Sequence, residues 1–120
     1  MELIKIVNAR NILDGLSEKE DIGAHLTYWM TKFVVKTESE HNFYTSEIRK
    51  FFDKYADKKE DGTMLIPNDK VAEFNDAVER LNETDVEDPG IRFNLSELSA
   101  ELKLSMKQMY PLLDFIDEEK

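Results

Sequence analysis

The segment Asp57–Gly62 is the best candidate for metal chemistry in this sequence, because it lies between two predicted helices as a calcium-binding loop does. Asp57 and Asp61 fit positions one and five of such a loop. Lys59 stands at position three, where an oxygen ligand is required, and Asn68 stands at position twelve, where a bidentate glutamate is expected. A solvated Asp-Gly turn is therefore the favoured interpretation, and a calcium-responsive module is the weaker one.

The two histidines, His25 and His41, offer little further chemistry. They lie sixteen residues apart in one predicted helix, which is too far for two ligands of one metal, and no cysteine can complete a site. His25 is predicted to be packed or at a boundary, and His41 to be solvated. All four glycines stand alone, and no Gly-x-Ser-x-Gly elbow occurs. We predict no enzyme, with no catalytic residues, no metal and no cofactor.

Length and composition narrow the class of protein. The 120 residues suit a single domain spanning residues 1–120. The absence of cysteine excludes a disulfide framework and fits a reducing cytosol. A net charge of −10 opposes direct binding to nucleic acid phosphates, since that contact needs basic side chains. An apolar share of 41% is too high for a disordered acidic tail.

The N-terminal segment predicts neither export nor membrane insertion. Lys5 interrupts the apolar run Leu3–Val7, so no secretory signal is expected. No run approaches the ~18 apolar residues that a bilayer span needs.

Residues 3–16 are predicted to form a first helix that ends near Gly15, with a strand at Leu3–Val7 as the alternative. Apolar residues at three- and four-residue spacing support the helix. They are Ile6, Ala9, Leu13 and Leu16.

The strongest periodic signal lies between Asp21 and Ala56. Apolar residues step by four, three and four in its first half and again in its second half, separated by a polar interval. The first stripe is Ile22, Leu26, Trp29 and Phe33, and the second is Tyr44, Ile48, Phe51 and Tyr55. One continuous helix of about 50 Å is the favoured interpretation. A break within Lys36–Asn42, where weak helix formers cluster, is the alternative.

A third helix is predicted after a turn at Asp61-Gly62, capped by Asn68 or Asp69. Its apolar stripe is Val71, Phe74, Val78 and Leu81. Residues 63–66 and 91–95 on either side of it are β-prone, and we expect them to pair as a two-stranded ribbon.

The C-terminal part is predicted to be helical. Ser96 is expected to begin a short helical turn, and Ser105 with Gln108 predicts a capping box for a last helix. Pro111 lies too far inside that helix for a regular course, so a kink or a later start is expected. The apolar residues of this helix are Met109, Leu112, Leu113, Phe115 and Ile116.

Aromatic residues concentrate on the second predicted helix and form the main candidate surface. Neighbours in sequence diverge by about 100° around a helix, so one member of each adjacent pair widens the apolar face. Exposed aromatic area of this kind is typical of protein–protein surfaces. Most of these side chains belong to the core, but we predict partner binding or self-association through Trp29, Phe33, Phe43, Tyr44 and Phe52.

An acidic face is the second candidate. Four carboxylates fall near one stripe of the third helix, opposite its apolar residues: Asp69, Glu73, Asp76 and Glu83. Such a row can imitate a nucleic acid backbone and occupy the binding surface of a target protein. An ordinary solvated helix face is the simpler interpretation.

Several short motifs occur in order along the chain: an Ile-Val-Asn-Ala start, a Tyr-x-x-Lys-x-Glu-Asp-Gly turn, an Asn- and Glu-rich third helix and a closing Leu-x-x-Phe-Ile segment. The matching residues are Ile6–Ala9, Tyr55–Gly62, Phe74-Asn75, Leu81–Glu83 and Leu112–Ile116. This order resembles a group of small, uncharacterised bacteriophage and prophage proteins. The resemblance implies a phage origin and a non-enzymatic role in the cytoplasm of a host bacterium or in the virion. It brings no catalytic or binding residue with it.

These observations predict a mainly α fold with minor β structure: a long-helix hairpin, a small two-stranded ribbon and a C-terminal helix. The leading hypothesis is a phage virion or assembly component that acts by protein–protein contact and self-associates through the second helix. The alternative is an acidic inhibitor of a host or defence protein. The expected partner is a protein or a second copy, with no direct nucleic acid and no membrane.

Overall fold

A computed structural model describes residues 1–117, in which six α-helices, two 3₁₀ turns and two pairs of short strands make up the fold. The helices are α1 (Leu3–Gly15), α2 (Ala24–Lys36), α3 (Glu38–Tyr55), α4 (Val71–Asn82), α5 (Leu95–Glu101) and α6 (Met106–Met109). The strands are β1 (Asp57–Lys58), β2 (Met64–Leu65), β3 (Phe93–Asn94) and β4 (Ile116–Asp117). The 3₁₀ turns span Asn68–Lys70 and Tyr110–Phe115. The predicted mainly α class with minor β structure is confirmed.

The first helix is confirmed as α1, and the alternative of a strand at residues 3–7 is wrong. One side of α1 packs against α2 and the C-terminal elements, and another packs against α3 and α4. Because α1 is covered on two sides, it is the central element of the core. Its buried residues are Leu3, Ile6, Val7, Ala9 and Leu13.

The continuous helix predicted over residues 21–56 is wrong, because the chain divides at Thr37. α2 ends at Lys36 and α3 begins at Glu38, within the interval that the alternative interpretation named. The buried Thr37 hydroxyl donates a hydrogen bond of 2.7 Å to the Phe33 carbonyl oxygen. A threonine that bonds to the carbonyl four residues earlier bends a helix. The break itself lies in the backbone of Thr37, whose φ of −103° and ψ of 9° leave the regular helical range.

α3 and α4 form an antiparallel helical hairpin, and we call the segment Glu38–Asn82 the arm. Near one end Tyr44 contacts Asn82, and near the other the rings of Phe52 and Phe74 lie 5.1 Å apart between centroids. The predicted helical hairpin is therefore confirmed, with α3 as its first helix. Neither α3 nor any other helix within residues 1–117 combines the length and the apolar character needed to span a lipid bilayer.

The strands pair differently from the predicted ribbon. β1 pairs antiparallel with β2 across the Asp61-Gly62 turn, whereas β3 pairs parallel with β4. The predicted pairing of residues 63–66 with residues 91–95 is wrong. Gly62 has a φ of 87°, which favours glycine and closes a local turn. The β2 segment therefore finds its partner on the near side of that turn.

Helix starts in the second half of the chain are partly as predicted. Neither Asn68 nor Asp69 caps α4 with its side chain, because both lie in a 3₁₀ turn that precedes it. α5 begins one residue before Ser96, and its cap is Asn94, whose side-chain oxygen accepts from the Glu97 N–H. The predicted cap of α4 is wrong, whereas the short helix predicted at Ser96 is present as α5.

The capping box at the start of α6 is confirmed. The Gln108 N–H donates to Ser105 Oγ, and the Ser105 N–H donates to Gln108 Oε1. After this single helical turn the chain tightens into the 3₁₀ turn that contains Pro111. Proline removes a backbone donor, which fits the predicted irregularity.

A short loop with an internal ion pair leads the chain back into the core. The Asp88 carboxylate accepts two hydrogen bonds from the Arg92 guanidinium, at 3.1 and 2.6 Å, and one of 2.8 Å from the Gly90 N–H. Gly90 has a φ of 74°, which favours glycine. The hydrogen bonds from Arg92, and then that from Gly90, lower the pKa of Asp88 from 3.8 to about 2.

This pKa shift predicts a stability change in acid. Because the carboxyl titrates lower in the folded chain, its contribution is complete above about pH 4 and is lost as the pH falls toward 2. The side chain is 40% exposed, so screening limits the contribution to about 1 kcal/mol or less. We expect the free energy of unfolding of Asp88→Asn, measured with urea, to change less between pH 5 and pH 2 than that of the wild type. The control is Asp76→Asn, and equal pH profiles for Asp88→Asn and wild type would contradict the prediction.

Candidate protein–protein interface

The five aromatic residues predicted to bind a partner occupy three different environments. Trp29 and Phe43 are 38% and 44% exposed. Tyr44 and Phe52 are half-buried within the arm. Phe33 is fully buried, so the prediction that it contacts a partner is wrong. The structure therefore divides the set and leaves Phe43, Tyr44 and Phe52 together on α3, with Trp29 apart on α2.

The α2 surface carries a second exposed ring beside Trp29. Tyr28 is exposed, and its ring meets the Trp29 indole edge to face, with 5.3 Å between centroids. Sequence analysis did not select Tyr28. The signal was its place directly before Trp29, since adjacent helical residues point to different sides.

The arm is covered less completely than the rest of the molecule. None of the eighteen residues of α3 is buried, and Leu81 is the one buried residue of α4. The Tyr44 hydroxyl donates a hydrogen bond of 2.8 Å to Asn82 Oδ1, and partial burial raises the pKa of that hydroxyl. One end of the arm packs against Leu3 and Val7 of α1, whereas farther out the two helices cover only each other, so the apolar residues of the arm stay half-buried. They are Tyr44, Ile48, Phe51, Phe52, Tyr55, Phe74, Ala77 and Val78.

An exposed apolar row near the C-terminus was missed by sequence analysis. Met106 is 88% exposed and Tyr110 is 73% exposed, and Leu113, which follows them along the chain, is also exposed. Leu112 and Phe115 are the buried residues of this segment. The row steps by four and three, which is the spacing of a helix face, so a second stripe was visible in the sequence.

The four carboxylates of the predicted acidic face are all exposed. Glu73, Asp76 and Glu83 belong to α4 or its C-terminal cap, and Asp69 lies in the preceding 3₁₀ turn. Within residues 1–117, none of the four forms an ion pair. The face therefore presents uncompensated negative charge.

The Asp57–Gly62 segment forms the β1–β2 connection. Asp61 Oδ1 accepts hydrogen bonds from the Thr63 hydroxyl and N–H, at 2.6 and 3.0 Å. These two bonds lower the pKa of Asp61. The predicted Asp-Gly turn is confirmed, and its aspartate is engaged by the turn itself. Across residues 1–117 no group of three or more His, Cys, Asp or Glu side chains is placed to hold a metal ion.

The two histidines lie differently from their predicted positions. His25 is exposed, and its Nδ1 lies 2.7 Å from Glu97 Oε2. His41 is half-buried on α3. Both predictions are wrong, since His25 was expected to be packed or at a boundary and His41 to be solvated.

Comparisons with protein families, curated proteins and solved structures find no match to this chain. The surfaces described above, and above all the incompletely covered arm, are therefore the basis for proposing a function.

Proposed function

We propose that this is a non-enzymatic phage protein that acts by protein–protein contact, as a virion or assembly component that self-associates through α3. The observation that carries the proposal is the coverage of α3. A helix that carries six apolar residues and has no buried residue is typical of an element that completes its packing in an assembly. The exposed ring of Phe43 supports the same interpretation, since aromatic residues are enriched at interfaces.

Self-association is testable by sedimentation velocity and native mass spectrometry at micromolar concentration. We expect a discrete oligomer for the wild-type chain. Phe43→Ser is expected to weaken association about tenfold, because truncating an interface aromatic costs on the order of 1–2 kcal/mol. The matched control is Asn42→Ser, an exposed neighbour that points to another side of α3. A strict monomer at all concentrations would contradict the proposal.

The acidic face supports a second candidate function, inhibition of a host or defence protein that binds nucleic acid. Its four exposed carboxylates lie along one side of the arm without ion-pair partners among residues 1–117. Rows of negative charge attract surfaces that bind phosphate backbones.

This second candidate predicts salt-sensitive capture of a basic, nucleic-acid-binding host protein. We expect the triple reversal Glu73→Lys, Asp76→Lys and Glu83→Lys to abolish capture and to leave the wild-type helix content by circular dichroism. The control reverses three exposed acidic residues in the α1–α2 loop: Glu18, Glu20 and Asp21. Equal loss of capture in both variants would indicate net charge alone and would overturn mimicry by this face.

A further inference from the structure

The charges of α3 are divided between its two halves. Residues 38–47 contain three glutamates and neither lysine nor arginine. Residues 48–55 contain Arg49, Lys50 and Lys54, with Asp53 as the one acidic residue. The first half therefore has a net charge of −3 and the second half a net charge of +2. A helix divided in this way complements its own reversed copy.

One side of α3 carries this division along a regular stripe. Glu40, Phe43, Glu47, Lys50 and Lys54 follow steps of three, four, three and four, which is the spacing of a helix–helix seam. Phe43, Lys50 and Lys54 are exposed, whereas Glu40 and Glu47 are half-buried. We call these five residues the α3 stripe.

The α3 stripe has a near-symmetric centre at Glu47. Glu40 lies seven residues before it and Lys54 seven residues after it, each about 10 Å along the helix. Phe43 and Phe51 lie four residues before and after, each about 6 Å from the centre. Glu47 Oε1 lies 3.1 Å from Lys50 Nζ of the same chain. The charge of Glu47 is therefore already paired when the Glu47 residues of two copies meet at a two-fold axis.

The groove beside Phe43 offers space for an apolar side chain. It has a volume of 230 Å³ and is lined by Leu3, Phe43, Thr84 and Val86, with Ser39 and Glu40 at its polar side. In a reversed copy centred at Glu47, the position opposite Phe43 is that of Phe51, a half-buried ring at the edge of the Leu3, Val7 and Leu81 cluster. Apolar and charged positions therefore match in the same register.

We propose that a second copy of this chain packs antiparallel along the α3 stripe, about a two-fold axis near Glu47, so that Glu40 of each copy meets Lys54 of the other. The proposal rests on the self-association proposed above and adds its geometry. Parallel packing sets three glutamates against three glutamates and is disfavoured. Antiparallel packing forms two Glu–Lys pairs and places an aromatic contact on each side of the axis.

Charge exchange tests the pairing. Glu40→Lys alone and Lys54→Glu alone are each expected to weaken dimerisation about fivefold to tenfold, because each variant sets like charges together twice. The double variant, and an equimolar mixture of the two single variants, restore both opposite-charge pairs and are expected to recover wild-type dimerisation. Asp53→Lys is the control, because Asp53 is exposed on another side of α3. Single variants that dimerise as wild type would overturn the pairing.

Cross-linking separates the geometry from the function, because the natural chain has no cysteine. Glu40→Cys and Lys54→Cys are mixed and treated with a short bismaleimide, with Asn42→Cys as the exposed control. The proposal expects cross-links between the two different variants and none within either variant alone. A dimer that cross-links Glu40→Cys to itself, or that cross-links at neither position, would overturn the antiparallel arrangement while leaving self-association intact. A monomer at every concentration would overturn both.

Discussion

Replacing Phe33 by alanine is expected to lower the free energy of unfolding by about 3–5 kcal/mol. Phe33 is fully buried where α2 meets the C-terminal elements. Its ring lies 4.9 Å from that of Phe115 and 6.0 Å from that of Phe93, between centroids. Truncation removes both aromatic contacts and leaves a cavity that surrounding helices cannot close. Since small domains are stable by about 5–15 kcal/mol, the loss is a large share of the total.

The matched control is the same substitution ten residues later on the outside of the molecule. Phe43→Ala removes a half-exposed ring, so we expect a loss of about 1 kcal/mol or less in the monomer. Urea unfolding of both variants, at a concentration below that of association, measures the difference. If Phe43→Ala destabilised the chain as much as Phe33→Ala, α3 would be packed more deeply than the structure places it.

The residues around Phe33 show why the sequence could predict α2 as a helix but not all of its buried side. The predicted stripe ran through Leu26, Trp29 and Phe33, whereas the buried stripe runs through Leu26, Met30 and Phe33. Both fit the helical period, and both middle residues are apolar. Periodicity therefore cannot decide between Trp29 and Met30, and the choice depends on which neighbours surround α2 in three dimensions.

The strand pairs show a different balance of local and distant information. The pairing of β1 with β2 was readable in part, because an Asp-Gly turn directly before the β-prone residues 63–66 favours a local hairpin, although Asp57 and Lys58 are poor strand formers. The pairing of β3 with β4 was not, because Phe93 and Ile116 are joined in register only after α5, α6 and the last 3₁₀ turn fold between them. Such contacts depend on packing across the whole core.

The break at Thr37 lies between these two cases. The weak helix formers at this place made a break the alternative to one continuous helix, but they could not decide between the two, because a mid-helix threonine can also point to solvent without bending the helix. Here the side chain is buried and bonds to the Phe33 carbonyl oxygen. The bend also decides the candidate interface, because it separates Trp29 on α2 from Phe43 on α3.

The second large effect is expected from Arg10, whose side chain is only 11% exposed on the central helix α1. Within residues 1–117, its buried Nε and Nη1 atoms have no hydrogen-bond partner. Asp14 provides an ion pair, but its carboxylate is 3.7 Å away and half-exposed. A buried charge without matching hydrogen bonds costs free energy, and a long distance to a solvated partner recovers little of it.

Replacing Arg10 by methionine is therefore expected to raise the free energy of unfolding by about 1–3 kcal/mol. Methionine keeps an unbranched apolar stem that fills irregular space, and it removes the charge and the unsatisfied donors together. Arg10→Lys is the control that keeps the charge, and it is expected to give no gain. Urea unfolding measures the difference, and the slope of the free energy against urea concentration is expected to be the same for both variants and the wild type. If Arg10→Met were destabilising, the guanidinium would be stabilising α1 through contacts beyond Asp14, and the fold would need a polar side chain at this position.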